Sequence, residues 1–377
     1  MNHLRLIAIP FLSIVAATAQ DRATQQAPTF TLAAGYHNMA SLVELTAQVR
    51  GHAIQLAPET TAMLRRRTVV VQRELQLEAD AFVDVATTLL HGHDLVFAAP
   101  AHGNRILKLE AAYEGELFVE RSPEEILADA SGIEYARTVA TSHNPVVHLN
   151  ALRPLFGWGG PHSLDIQVGD EELVMTGTSD KIRCALKVLA LLEGTTPAAS
   201  AQPTFDDGPM LAWPGGKMAV NTFIAKFANA LDANVVGDLN RAELDLGKRA
   251  NLTPREWFAR ATEALFEAQL VLVPSMGSQR LFTIRSLHGT QCRQFTWHAD
   301  YVPCDQLGQS NAVDPTMTTV TLQNVATNTA MAKLMPKLAT ARFTSIGMID
   351  DNTFLLCGPR PSVAEHAATL RAFDDAQ

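Results

Sequence analysis

The sequence predicts a mixed α/β (α+β) chain of four small domains in two homologous pairs, and three observations carry that prediction. First, ATTLLHGHDLVFAAPAHGNRILKL, Ala86 to Leu109, returns without a gap as ATEALFEAQLVLVPSMGSQRLFTI, Ala261 to Ile284, at an offset of 175. Ala86/Ala261, Thr87/Thr262, Leu90/Leu265, Leu95/Leu270, Val96/Val271 and Arg105/Arg280 are identical pairs. Second, LVMTGTSDKIRCALKVLALLE is echoed by FLLCGPRPSVAEHAATLRAFDD at an offset of 181, which aligns Gly177 with Gly358 and Leu189 with Leu370. Third, TTPAASAQPTFDDGPMLAWPGG, Thr195 to Gly216, is rich in Pro, Gly and small residues and reads as a linker between two halves. Recurrence at a fixed spacing is the mark of a duplicated unit.

With 377 residues, 47% of them hydrophobic and 18% charged, the chain can bury more than one core. The N-terminus has a short basic segment, MNHLR, then LIAIPFLSIVAA, then the small residues ATA before Gln20. That layout predicts a signal peptide over 1–19, too short for a membrane span. The competing reading is a buried N-terminal helix. No later stretch reaches the ~20 apolar residues of a spanning helix. Loss of 1–19 removes Arg5 and no acid, so the formal charge of −9 becomes −10. An acidic chain without a basic stripe is a poor partner for nucleic acid.

After a polar, loose stretch from Gln20 to Phe30, the elements follow in order. NMASLVELTAQVRG places Leu42, Leu45 and Val49 on one helical face. VVVQREL reads as a strand, LEADAFVDVATTLL as a second helix, and DLVFAA with RILKLE as a hairpin. Ser122-Pro123-Glu124-Glu125 is a capping box. Beyond Thr138, VVHLNALRPLF is helical to about Pro154, and LDIQVGDEELVMTG is a hairpin turning at Gly169-Asp170. A long helix follows with Ser179 as its expected cap. With a leading strand the order is β-α-β-β-α. The second half repeats all of this: NTFIAKFANALDANVVGD for the first helix and strand, a Thr253-Pro254-Arg255-Glu256 capping box on the second helix, and LQNVATNTAMAKLMPKL with Leu334 and Pro336 where the first copy has Leu152 and Pro154. The expected bounds are 35–115 and 134–194 for the first pair, 195–215 for the linker, and 216–290 and 316–376 for the second pair.

Chemistry-bearing residues are sparse. His91, His93 and His102 cluster as metal ligands do, but their counterparts Phe266, Ala268 and Gly277 show that the repeat does not require them. Surface or turn histidines are the reading, and no metal or cofactor is expected. The acids of SPEE, GDEE and IDDN fall at a helix start or in hairpin turns, where capping accounts for them. No nucleophile-elbow serine or Cys/His signature is present, so no catalytic residue is assigned. Cys184 and Cys357 read as small core residues. Cys292 and Cys304 lie in the 27-residue segment Gly289 to Pro315, where a disulfide would close the loop, two free thiols being the alternative. FGWGGPH, Phe156 to His162, carries Trp158 either as a contact residue or as a lid on the local core.

NTFIAKFANALDANVVGDLNRAELDLGKRANLTPREWFARATEALFEAQLVLVPSMGSQRLFTI resembles the first periplasmic domain of secretins, the outer-membrane channels of type II secretion and type IV pili. TTVTLQNVATNTAMAKLMPKL with FTSIGMIDDNTFLLCGPRPSVAEHAATLRAFDD is similar to the secretin ring-building domain: strand, helix, hairpin with Asn352 before its second strand, and a closing helix that ends in an acid. The resemblance spans most of 35–376 and is clearest in the second copy, since HGHD and LRRR are atypical in the first. The sequence ends at Gln377, where secretins continue into their barrel, so this chain is not expected to be the pore. The resemblance implies a non-enzymatic periplasmic ring or vestibule component, contacting inner-membrane secretion machinery and a separate secretin barrel, with homo-oligomerisation open. The alternative is a stand-alone periplasmic signalling or binding module, like the N-terminal domain of outer-membrane receptors. A metal-dependent hydrolase built on the histidines trails both.

Overall fold

A computed structural model gives the structure of the chain and describes residues 29–51, 53–91, 93–97, 105–115, 117–128, 134–156, 160–195, 205, 207–237, 243–274, 280–287, 296–297, 299–310, 312–338 and 344–377. The segment read as a signal peptide, residues 196–204 and 206 of the expected linker, and His102, Trp158 and Cys292 lie outside the described residues. The fold class is the expected one, small sheets packed with helices.

The first unit is built from nested strand pairs. Thr29–Leu32 pairs antiparallel with Leu75–Glu78, and Gly35–Asn38 with Thr68–Val71. Gln55–Leu56 runs parallel to Arg105–Lys108, which pairs antiparallel with Leu95–Phe97. Helices Met39–Arg50 and Ala79–His91 pack on one another over these strands. The first helix starts where the Asn38 side chain accepts from Ala40 N–H at 2.8 Å, and stops at Gly51, whose φ of 67° suits glycine. VVVQREL is therefore two strands rather than one, broken at Gln72-Arg73. Two further helices were not foreseen, Pro58–Arg65 and Leu109–Glu114.

The same nesting recurs in the second half. Leu211–Trp213 pairs with Ala250–Leu252, and Lys217–Ala219 with Glu243–Asp245. Asn234–Gly237 lies parallel to Leu281–Ser286, which is antiparallel to Leu270–Pro274. Helices Val220–Ala230 and Pro254–Glu267 fill the remaining layer, the latter held by the foreseen Thr253–Glu256 capping box. The linker reading to 215 fails at its end. Leu211–Trp213 is a strand, and Trp213 is buried against Trp257 with ring centroids 4.9 Å apart, its Nε1–H donating to the Leu246 carbonyl at 2.8 Å. Burial of so large a ring outweighs the small-residue composition around it. Likewise Phe30, read as loose, sits in the first strand and packs 6.3 Å from Phe82.

Two five-element units complete the chain. Strand Tyr135–Thr141, helix Pro145–Phe156, strands Asp165–Val168 and Glu172–Thr178, and helix Ser179–Leu192 form the first. Pro315–Thr321, Thr327–Leu338, Ser345–Met348, Thr353–Pro359 and Arg360–Asp375 form the second. In both, the hairpin's second strand pairs antiparallel with the leading strand, whose other edge takes a short parallel strand, Val119–Glu120 or Asp300–Tyr301. The first helix runs through Pro154 to Phe156 instead of stopping there. Ser179 is not the cap of its helix. Thr178 holds the extended N-cap geometry, and the Ser179 hydroxyl instead accepts the Glu134 N–H at 3.2 Å.

The aromatic core of the second half is the firmest packing feature, with Phe223 stacked on Trp257 at 5.6 Å and Phe227 at 5.8 Å. Trp257→Ala is expected to cost about 3–5 kcal/mol, the range for large-to-small core changes. Chemical denaturation followed by circular dichroism checks it, and a loss below about 1 kcal/mol would contradict the packing.

Candidate functional site

Among the described residues, those that the sequence offered for chemistry do not converge. His93 sits on the turn after Ala79–His91, its N–H donating to the Leu90 carbonyl at 2.9 Å. His91 closes that helix, with its side chain outside the description, as is all of His102. Among the described residues, no group of three or more His, Cys, Asp or Glu is placed to hold a metal. Ser122 and Glu125 form their reciprocal capping box, Gly169 N–H closes the GDEE turn onto the Glu172 carbonyl, and Asp350 accepts the Asn352 N–H at 2.7 Å. Cys304 is a free, half-buried thiol whose expected partner Cys292 is not described.

One cluster resembles a catalytic triad and is not one. Ser142 Oγ lies 2.7 Å from His148 Nδ1, and Glu193 Oε1 lies 3.3 Å from the same nitrogen. A relay needs the nucleophile and the acid on opposite ring nitrogens. Glu193 has a structural task instead: it accepts the His143 N–H at 2.9 Å and its ring Nδ1 as well. Asp374 does the same 181 residues on, accepting Gln323 N–H at 2.7 Å, Asn324 N–H at 2.8 Å and Val325 N–H at 3.0 Å. Each carboxylate fastens the loop that opens its unit's first helix, where N–H groups point outward and favour an anion. The Gln323 N–H and its neighbours hold Asp374 below its ordinary 3.8. Burial opposes ionisation of Glu193, but the His143 N–H, its ring and the nearby His148 leave that carboxyl lowered too.

The two halves meet at two junctions that sequence reasoning missed. In the first, Val71 and Val70 pair antiparallel with Val236 and Gly237, which joins strands of both halves into one five-stranded sheet. The Asn234 side chain extends the ladder, accepting Arg73 N–H at 3.3 Å and donating to its carbonyl at 3.2 Å. Gly237 is required there, since a Cβ would meet Ile284 Cγ2 at 2.3 Å. Asp232 sits between Arg73 at 2.7 Å and Arg280 at 3.4 Å, an exposed cluster of small energetic weight.

The second junction stacks the five-element units. Helix Pro145–Phe156 packs on strand Ser345–Met348, with the Ala151 carbonyl 3.3 Å from where a Gly347 Cβ would lie. Leu152, Phe156, Cys184 and Val188 share one core with Met317, Leu355, Cys357 and Trp297. Cys184 and Cys357 are buried as expected, and both thiols donate to the Thr296 carbonyl, at 3.7 and 3.5 Å. Burial pushes the Cys184 thiol up to about 12. Lys187 reaches Asp300 at 3.0 Å across the same seam.

Lys181 lies within this stack with no exposed surface. Its Nζ stands 4.5 Å from the Trp297 ring centre and 3.5 Å from the Pro161 and Ser163 carbonyls. Burial, only partly countered by Asp180 and Asp94, lowers its pKa to about 8.

No protein-family profile matches the chain, and no curated protein matches it either. Solved structures similar to it include the enterotoxigenic Escherichia coli GspC–GspD complex of the type II secretion system, at 10% identity, covering 44% of this chain and 99% of that one, with a TM-score of 0.18. Another is XcpQN012, at 9% identity over 92% of this chain and 99% of that one, TM-score 0.18. A third is a dimeric mutant of the N-terminal domain of the secretin XcpQ from Pseudomonas aeruginosa, at 14% identity over 64% and 95% of the two chains, TM-score 0.15.

Two pH dependences follow from these sites. The depressed Asp374 carboxyl contributes stability that is present above its ordinary 3.8 and is lost as pH falls through the lower folded value. Asp374→Asn should therefore lower the melting temperature near neutral pH and narrow the gap to wild type below pH 3.8. Lys181 binds its proton more weakly folded than unfolded, so stability should rise with pH between about 8 and 10.5. Lys181→Met should flatten that rise. Melting curves across pH read both, and parallel profiles for variant and wild type would contradict them.

Proposed function

We propose that the chain is a non-enzymatic, exported scaffold of a type II secretion or type IV pilus-like system, a periplasmic component that forms or docks onto the vestibule of an outer-membrane secretin barrel. The observation that carries the reading is the recurrence, in each half, of one nested-strand unit followed by one β-α-β-β-α unit with the same strand order. That is the domain order of the family whose sequence pattern the chain resembles. The residues of the resemblance hold matching places: Asn234–Gly237 is the short strand after the first helix, Asn352 precedes the hairpin's second strand, and Asp374 is the acid that ends the closing helix. We place the domain bounds at 35–115, 134–194, 216–290 and 316–376, with the first nested unit of each half extended N-terminally by the strands Thr29–Leu32 and Leu211–Trp213.

Glu193, Asp374, Asn234 and Lys187 are engaged in fastening loops and seams, which supports a scaffold over a catalyst. Among the described residues, no helix is long and apolar enough to cross a membrane. Contact with partners would use sheet edges, such as Gly35–Asn38 with Tyr36 at 76% exposure.

The test is affinity purification of the tagged full-length chain from envelope extracts of its native host. A truncation is unsuitable, because Met317, Leu355 and Cys357 complete the core of the first half. A barrel-forming secretin or an inner-membrane secretion component should co-purify, and Tyr36→Asp should reduce its recovery. Repeated recovery of a receptor or small ligand, with no secretion component, would replace this reading with the signalling module.

A further inference from the structure

The two halves differ at the crease where each nested-strand unit meets its five-element unit. In the first half the crease is closed. The Phe97 backbone forms an isolated parallel bridge with Glu134. Over that bridge the Arg50 guanidinium lies 4.7 Å from the Phe97 ring centre and 3.5 Å from the Glu134 carboxylate. In the second half Asp314 holds the place of Glu134: its carbonyl accepts the N–H of Arg360, as that of Glu134 accepts the N–H of Ser179. Leu272 stands where the first half has Phe97, at the offset of 175. Counted from the helix caps Asn38 and Ala219, Leu231 takes the position of Arg50. Without that ring and that cation the crease is open, as a cavity of about 300 Å³ lined by Leu272, Asp314 and Arg360 among others. Small-molecule sites begin at about this size.

The cavity walls carry residues that the recurring architecture does not need. The apolar side is aromatic, with Phe258 4.7 Å from Phe205 and 5.7 Å from Phe282 between ring centres. The polar side holds two arginines and one aspartate. Arg360 is committed to that aspartate, its Nε donating to Asp314 Oδ1 at 2.8 Å and its Nη2 to Oδ2 at 2.6 Å. Arg255 has a looser neighbour outside the wall, Asp207 at 4.0 Å. Both of those side chains are more than half exposed, so their pairing carries little energy. Arg255 also sits in the first turn of its helix, where a cation is disfavoured, and helix stability does not account for it. The matching positions of the first half hold Asp80, Val83 and Ser179 in place of Arg255, Phe258 and Arg360. Ser310 completes the polar side: its Oγ accepts the Ala312 N–H at 3.1 Å and keeps its own proton to donate.

We propose that this cavity binds a small carboxylate with an apolar body, the body against the three phenylalanines and the carboxylate on Arg255, with Ser310 as a second donor. Apolar area removed from water supplies the affinity, and the charge-assisted bond from Arg255 selects the anion. Asp314 is neutralised by Arg360, which leaves Arg255 as the attracting charge. Such a site goes beyond the scaffold role and does not depend on it, since binding is read on the purified chain alone.

Isothermal titration of the purified full chain with 3-phenylpropionate and with octanoate tests it, the uncharged 3-phenylpropanamide serving as control. A dissociation constant below about 1 mM is expected for at least one carboxylate, with the amide at least about tenfold weaker. Arg255→Gln should lower carboxylate affinity to that of the amide and leave the amide unaffected, with unchanged circular dichroism because the side chain is exposed. Ser310→Trp, which places a ring in the cavity, should abolish binding of all three. Neither carboxylate binding at about 1 mM, equal affinity for carboxylate and amide, or indifference to Arg255→Gln would each overturn the assignment. So would tighter binding of a peptide with an internal phenylalanine than of either free carboxylate.

Discussion

The two-sided burial of helix Ser179–Leu192 is the constraint on which the molecule depends. Its residues from Ser179 to Leu189 are buried with the exception of Lys187, which is itself tied to Asp300. One side of the helix rests on its own sheet, and the other helps complete the core of the second unit through Cys184 and Val188. Neither five-element unit is therefore a separate bead. The Lys181 ammonium is confined because its helix has almost no solvent side left, and its weakened basicity is a consequence of that burial.

The recurring order of strands and helices was legible in the sequence because it lies in hydrophobic periodicity and in a few small or cyclic residues. Pairs such as Gly177 and Gly358 sit at matching ladder positions, opposite Ala136 and Thr316. The acid that ends the closing helix was also readable, and its reason is now visible: Glu193 and Asp374 satisfy N–H groups that no helix turn could. Capping boxes at Ser122 and Thr253 were equally secure, since their chemistry is local.

What the sequence hid was everything decided between the two halves. Nothing in VVV or NVVG says that Val71 will pair with Val236, because a strand edge carries no mark of its partner beyond Gly237, whose need for close approach shows only in three dimensions. The linker reading failed at Trp213 for a related reason: a lone tryptophan among glycines and prolines is anchored by distant aromatic rings, not by its neighbours. Ser179 was misjudged because a serine at a helix start can serve another segment, here the strand that begins beside Glu134.

The pairing of Val71 with Val236 also sets an order of assembly. A chain is synthesised N-terminus first, so Thr68–Val71 emerges long before its partner strand does. Until Asn234–Gly237 arrives, one edge of the first half's β-ladder stays open, rich in valine and lacking the ladder rungs that Asn234 supplies to Arg73. Unpaired apolar edges recruit wrong partners. The interval between the two halves is thus the stretch of this molecule's life in which it has most need of a holding chaperone.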